Sequence, residues 1–187
     1  LRVSGKRTGL ACADGIFIDR RQTDSRSGLR FDAAQSVLMN RSIEAAVFET
    51  NAEMILRDGL PFDRCRAAVI TDVTLAGQDA VLKEFFITDP EQLFTVLRGP
   101  VDTVLSAGVA VLNAENAGAA AMADLSDGSV ILYACQRGNT AVDQHRAQSD
   151  GRAVFCDAGA VILASGNEEI VLDPIDALSS GYDALRP

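Results

Sequence analysis

The sequence predicts an α/β fold, a mostly parallel sheet with helices on both faces, followed by a C-terminal antiparallel β-meander. Three observations predict it. From Arg7 to Ala147, short apolar runs of strand length alternate with helical stretches, the signature of successive βαβ units. The run Ala45–Phe48 leads directly into a helix-start signal, and Glu49-Thr50 falls at the carboxyl end of the run, where open α/β sheets place their ligands. Near the end, Ala158-Gly159 and Ser165-Gly166-Asn167 separate three short β-rich runs, as turns separate the strands of a meander. At 187 residues a single domain over 1–187 is expected, large enough to bury a core without staples. Residues 1–150 form its parallel α/β part, 151–178 its meander and 179–187 its tail.

The strands expected in the first part are Arg7–Cys12, Ala45–Phe48, Ala67–Thr71, Val109–Leu112 and Val130–Ala134. Ala45–Phe48 and Ala67–Thr71 are continuously apolar, which predicts central strands buried on both faces. The helices are expected at Phe31–Met39, Ala52–Arg57, Pro90–Ala107, Ala117–Leu125 and Ala141–Ala147. Thr50 and Glu53 have the spacing of a capping box, and Gly59 with Pro61 ends that helix. Asp89 before Pro90 reads as an N-cap followed by a helix-starting proline, and Gly99-Pro100 should break the long helix. The meander strands are Ala153–Asp157, Ala160–Ala164 and Glu169–Leu172.

Charge and cysteine usage exclude several classes of partner. A net charge of −9 disfavours nucleic acid, which needs basic patches, and equally disfavours an anionic membrane surface. No apolar run approaches the roughly 18 residues of a spanning helix. Cys12, Cys65, Cys135 and Cys156 form no CxxC pair, and three lie in apolar runs, so free cysteines packed as small hydrophobes are expected. A reducing cytoplasm fits this usage, and the Asn40-Arg41-Ser42 sequon is then a chance match.

The segment Ala45 to Cys65, AAVFETNAEMILRDGLPFDRC, carries a resemblance. It is similar to the Mur-ligase-like domain of cyanophycin synthetases, which read roughly ETARGGILREGLGFDRC at this point. ET, ILR, GL and FDRC are kept, while Asn51-Ala52-Glu53-Met54 stands for ARGG, so an anion-holding arginine and two close-approach glycines are replaced. Ser4–Gly9 resembles SGKRVG, and Asp14–Asp19 resembles DGVYID, but a hydroxyl-rich TST between them becomes Ala11-Cys12-Ala13. GPRSARNVL corresponds to Arg30–Leu38 and loses its arginine and hydroxyl at Asp32 and Ala33. TNIGEGDHLG becomes Thr71–Ala80, with Asp72 for its asparagine and no Asp-His pair. In DLAxVKR the lysine aligns with Leu97, and VLNADD appears as Val111–Asn116.

The resemblance covers nearly the whole chain. It implies the fold and, for an active member, an ATP-dependent ligase in which magnesium steadies the transferred phosphate and an amine attacks an acyl phosphate. A glutamate at the position of Glu49 would hold magnesium, Asp72 lies at the same expected edge, and Asn113 and Glu115 would sit near nucleotide. Each has a plainer reading: Glu49 as a strand-end acid satisfied by backbone N–H groups, Asn113 as a helix cap. The chain also contains no GxxxxGK[ST] phosphate loop, and it looks like a central domain of a longer protein. His145, the single histidine, reads as a surface residue rather than a base. Arg20 and Arg21, with Arg26 and Arg30, form a basic segment, either a solvated hairpin tip or a loop for an acidic chain.

Three functions stay open: a degenerate domain with a structural or oligomeric role, a working ligase domain that adds arginine to polyaspartate, and a peptide-binding module. The changed residues carry charge or backbone approach while neighbouring core residues are retained, which favours the first. It predicts no catalytic residue and no ATP or magnesium bound by this chain, with the rest of a longer parent and a possible second copy as partners. Glu49, Asp72 and Asn113 are expected to converge at the carboxyl ends of their strands.

Overall fold

The computed structural model describes residues 5–75, 79–148 and 150–174; the expected tail 179–187 lies outside them. The chain divides into two compact units, Leu1–Asp63 with Leu75–Leu97, and Arg64–Thr74 with Arg98–Pro187.

The first unit is organised on β1 (Thr8–Cys12). A hairpin joins it antiparallel to β2 (Gly15–Ile18), β3 (Arg21–Asp24) pairs antiparallel with β2, and β4 (Ala45–Phe48) pairs parallel with β1, giving the order β3-β2-β1-β4. Neither β2 nor β3 is among the strands expected from sequence. β3 reads RQTD and is largely exposed, so it offers no apolar alternation to detect. The predicted tip is nonetheless a turn: Asp19 takes a φ of 54° ahead of Arg20. Helix α1 (Phe31–Leu38) crosses from β3 to β4 and lays Ala33 and Val37 against Ala11 and Ile16, with Ile43, Ala46 and Phe48 at the margin.

Helix α2 (Ala52–Asp58) begins one residue later than the expected box. Asn51, not Thr50, is its N-cap, and the Asn51 amide oxygen accepts the Met54 N–H at 2.9 Å. Gly59 ends it at a φ of 80°. Helix α3 (Asp79–Glu84) lay outside the sequence expectations, while α4 (Pro90–Leu97) starts as predicted, with Asp89 accepting the Gln92 N–H at 2.8 Å. Arg57 links α2 to α3 by a two-pronged contact with Glu84 at 2.7 and 2.6 Å.

The second unit is a six-stranded sheet of order β10-β9-β8-β7-β6-β5. Its strands β5 (Cys65–Ile70), β6 (Val104–Asn113), β7 (Ser129–Ala134) and β8 (Arg152–Asp157) run parallel. β9 (Ala160–Ser165) and β10 (Glu168–Pro174) then return antiparallel, as the expected meander does. Helices α5 (Gly99–Asp102), α6 (Ala117–Ala120) and α7 (Thr140–Arg146) connect the parallel strands, and a 3-10 turn at Ala123–Leu125 takes up the rest of one predicted helix. The core is Leu112, Ala110, Val104, Leu132, Phe155 and Ala164, with Met122 and Val142 from the connections. No helix among the described residues is long and apolar enough to cross a membrane.

Two expectations are corrected here. The helix from Pro90 does break at Gly99-Pro100, but it does not resume to Ala107: residues 104–107 open β6, with Val104 paired to Cys65. Thr103 and Val104 are β-branched and lean toward extended backbone, and pairing with β5 decides the outcome. The runs at Ala45–Phe48 and Ala67–Thr71 are not central strands of one sheet. β4 and β5 terminate two different sheets among the described residues. Along β5, Ala68 and Ile70 are buried while Val69 is 62% exposed. An apolar run of small side chains cannot by itself separate a strand covered on one face from one covered on both.

The meander is tied to the parallel strands by charge. The Arg137 guanidinium reaches Asp157 at 2.7 Å and Glu169 at 2.9 and 2.7 Å, Arg146 reaches Glu169 at 3.0 Å, and both arginines lie over the Phe155 ring. The hydrogen bond from Arg137, then that from Arg146, holds the Glu169 carboxyl at about 2, below its ordinary 4.5. A depressed carboxyl stabilises the fold above its unfolded value, and the effect is lost as pH falls toward the folded one. The melting temperature should therefore decline between pH 4.5 and about 2, and Glu169→Gln should flatten that decline. An unchanged slope in the variant would show the network to be idle, as many exposed pairs are.

Candidate functional site

In the second unit, the register that sets Ile70 beside Leu112 and Asn113 beside Tyr133 brings the loops after β5, β6 and β7 to one end of the sheet. Parallel strands joined by crossovers place their carboxyl ends together, so the candidate residues of these loops meet there. Asn113 does not cap a helix. Its amide N–H donates to Thr71 O at 2.8 Å, and its amide oxygen accepts the Glu115 N–H at 2.9 Å. Glu115 in turn accepts the Cys135 N–H at 2.9 Å. Asp72 accepts the Thr71 hydroxyl at 3.0 Å.

Two asparagines that the sequence reading overlooked complete this stitching. Asn116 caps α6 by accepting the Ala119 N–H at 2.9 Å, and the same oxygen takes the Val73 N–H at 3.2 Å. Asn139 caps α7 through the N–H groups of Ala141 and Val142 and reaches back to Ala114 O at 3.5 Å. The signal was present: each asparagine stands directly before a short helix, the position its side chain favours. The edge is thus a net of side-chain-to-backbone bonds that fixes three loops.

The same edge is electrically negative. Burial first, and then the charges of Cys135, Asp72 and Glu115, push the Tyr133 hydroxyl above its ordinary value. Hydrogen bonding to Glu115, its charge, and then burial push the Cys135 thiol up as well. Asp72 and Glu115 put two carboxylates at this edge, while Arg137, on the loop after β7, is paired with Asp157 and Glu169. Among the described residues no three acidic, histidine or cysteine side chains are grouped closely enough to hold a metal ion.

Glu49 stands in the first unit, at the end of β4, and accepts the Ala13 N–H at 2.7 Å. That bond closes the turn between β1 and β2 and matches the plainer reading of this acid. Of the three residues expected to converge, Asp72 and Asn113 meet in the second unit, bridged by Thr71; Glu49 is held by its own unit. His145 is half-buried, with Nε2 3.3 Å from Val130 O, so its ring packs toward β7 instead of facing solvent. Two of the four arginines of the basic segment are paired within it: Arg26 binds Asp24 at 2.7 Å, and Arg30 contacts both Asp24 and Asp32. An open hollow of about 550 Å³ on the first unit is lined by Lys6, Arg7 and Arg20 and by Asp19 and Glu44, two carboxylates that offset two of the three cations. The cysteines are free, as expected, but Cys135 is exposed and not packed as a small hydrophobe.

No protein-family model matches the chain. It is 30% identical over 179 residues to a cyanophycin synthetase of Synechocystis, covering 93% of this chain and 20% of that protein. It is 29% identical over 165 residues to the cyanophycin synthetase of Crocosphaera subtropica, covering 88% and 18%. The chain therefore spans about a fifth of the length of these curated relatives. Among solved structures, a UDP-N-acetylmuramoyl-L-alanyl-D-glutamate–2,6-diaminopimelate ligase superposes with a TM-score of 0.62 at 15% identity, over 100% of this chain and 39% of that one. FolC of E. coli, in complex with DHPP and ADP, superposes with a TM-score of 0.50 at 10% identity, over 90% and 42%. These two likenesses show the fold alone.

Proposed function

We propose, on the premise that this chain corresponds to a Mur-ligase-like segment of the cyanophycin synthetases, that it is a degenerate ligase domain kept as a scaffold. One observation carries the reading. At the carboxyl ends of β5, β6 and β7, the polar side chains Asn113, Glu115, Asn116 and Asn139 are committed to backbone groups of neighbouring loops. A ligand that used these side chains would first have to displace the bonds that hold the loops in place. The negative edge adds repulsion toward a nucleotide phosphate. The replacement of ARGG by Asn51–Met54 and of a lysine by Leu97 supports the same reading, because both changes remove cation or close backbone approach. What remains useful is a rigid end of a parallel sheet, suited to holding the flanking parts of a longer chain or a second copy.

Magnesium ATP at millimolar concentration should leave the melting temperature of these 187 residues unchanged. A ligand at a hundredfold excess over its dissociation constant would add about 2.7 kcal/mol, enough to move the transition by several degrees. A saturable upward shift, or ADP release that arginine accelerates, would return the segment to the working ligases.

A further inference from the structure

The parallel register of β7 and β8 ends with Ala134 opposite Phe155. One residue further along both chains stand Cys135 and Cys156. The chains stay in contact beyond it with a one-residue slip: the Arg137 N–H donates to Cys156 O at 3.2 Å, the carbonyl that a continued register would give to Gln136. Residues opposed in a parallel pair project to the same face, and side chains alternate between faces along each strand. Ala134 and Phe155 are buried on one face; Tyr133 and Val154, half-buried, take the other. Continuing that alternation one residue past the end of β7 assigns Cys135, with Cys156, to the second face. Neighbouring strands lie about 4.7–4.9 Å apart, inside the roughly 4.4–6.8 Å of Cα separation that a disulfide spans.

We propose that Cys135 and Cys156 are a redox-modification site, closing to a reversible intramolecular disulfide with a small-molecule disulfide such as oxidised glutathione as the oxidant. Cys135 is exposed and Cys156 half-buried, so Cys135 reacts first. Its thiolate attacks one sulfur of oxidised glutathione, a protein–glutathione bond forms, and one glutathione thiolate leaves. The Cys156 thiolate then attacks the Cys135 sulfur, the protein disulfide forms, and the second glutathione thiolate leaves. The two protein thiols give up two protons and two electrons, and both are accepted by the two glutathiones. Glu115 beside Cys135 disfavours the thiolate, so closure should quicken as pH rises. The other two cysteines have no such partner. Cys12 belongs to the first unit, and Cys65 lies on β5 with its sulfur against Pro100 O and Thr103 Oγ1.

The test uses the reduced 187-residue protein with oxidised glutathione at neutral and mildly alkaline pH, an acid quench, alkylation of remaining thiols and peptide mapping. The free thiols should fall by two from the four present. The intact mass should drop by two hydrogens, one linked peptide pair should join Cys135 to Cys156, and dithiothreitol should reverse all of it. Cys156→Ser should arrest the reaction at a stable glutathione adduct on Cys135, and Cys135→Ser should abolish the linked pair. The proposal is overturned by four persisting thiols, by a lasting adduct on Cys135 in the unaltered protein, or by a bridge that uses Cys12, Cys65 or a second molecule. Because the decisive readings come from the unaltered protein, misfolding of a variant cannot rescue or sink it.

Discussion

Phe155→Ala is expected to lower the stability of the second unit by about 3–5 kcal/mol, the range for emptying a buried aromatic site. Phe155 is 1% exposed and has the largest of the fully buried side chains among the described residues. It sits on β8, between the parallel strands and the returning meander. The loss should exceed that of a simple cavity, because the ring also carries the Arg137 and Arg146 guanidinium groups at 4.8 and 5.4 Å from its centre. Without the ring, both arginines lose a surface that fixes their aim at Glu169. Denaturant unfolding of Phe155→Ala and Phe155→Leu would separate the contributions, since leucine restores most of the volume without the aromatic face. A cost below about 1 kcal/mol for the alanine variant would mean that the site collapses freely and the meander is not anchored there.

Gly15→Ala is the second large effect, about 3 kcal/mol or more, confined to the first unit. Gly15 holds a φ of +130°, and a Cβ on it would stand 2.2 Å from the Asp24 carbonyl oxygen of β3. Backbone cannot swing away as a side-chain tip can, so conformational strain and overlap add together. Gly59→Ala is the matched control. Its φ is also positive, at +80°, but nothing lies within 4 Å of the added carbon, so roughly 1 kcal/mol is expected. Equal costs in a denaturation series would show that the β1–β2–β3 hairpins relax around the methyl group.

Much of the second unit was legible in the sequence because its strands carry apolar runs bounded by helix and turn signals. Ser129–Ala134 and the meander strands fall within a residue or two of their expected bounds. Legibility failed where the signal was ambiguous or absent. RQTD is an exposed strand held by its neighbour alone. Val104–Ala107 is apolar enough to continue a helix, and only pairing with β5 decides that it is a strand. The candidate site divides the same way. Of the expected trio Glu49, Asp72 and Asn113, the last two meet because strand order sets which loops meet, while Glu49 ends a strand of the other sheet. Asn116 and Asn139 carry a helix-start signal in the sequence, but the second bonds they make, to Val73 and Ala114, depend on loop conformation, which no residue pattern encodes.

The order in which the chain visits its two units has a practical edge. The backbone passes from one to the other after Asp63, after Thr74 and after Leu97, so β5 reaches the six-stranded sheet as a short excursion from the middle of the first unit's sequence. No single cut separates the units: a fragment ending at Leu97 keeps the first unit whole but takes β5 with it, and one beginning at Arg64 keeps the second whole but carries 75–97 along. A truncation ending at Asp63 forfeits α4, and one beginning at Arg98 forfeits β5 and bares the flank of β6. Deletion mapping of a parent protein with ends placed at Asp63 or Arg98 would then damage both units, whichever function had been targeted. Dissection calls for joining Asp63 to Leu75, or Thr74 to Arg98, by a designed linker, and a nick by a protease in either excursion should leave the pieces associated rather than free.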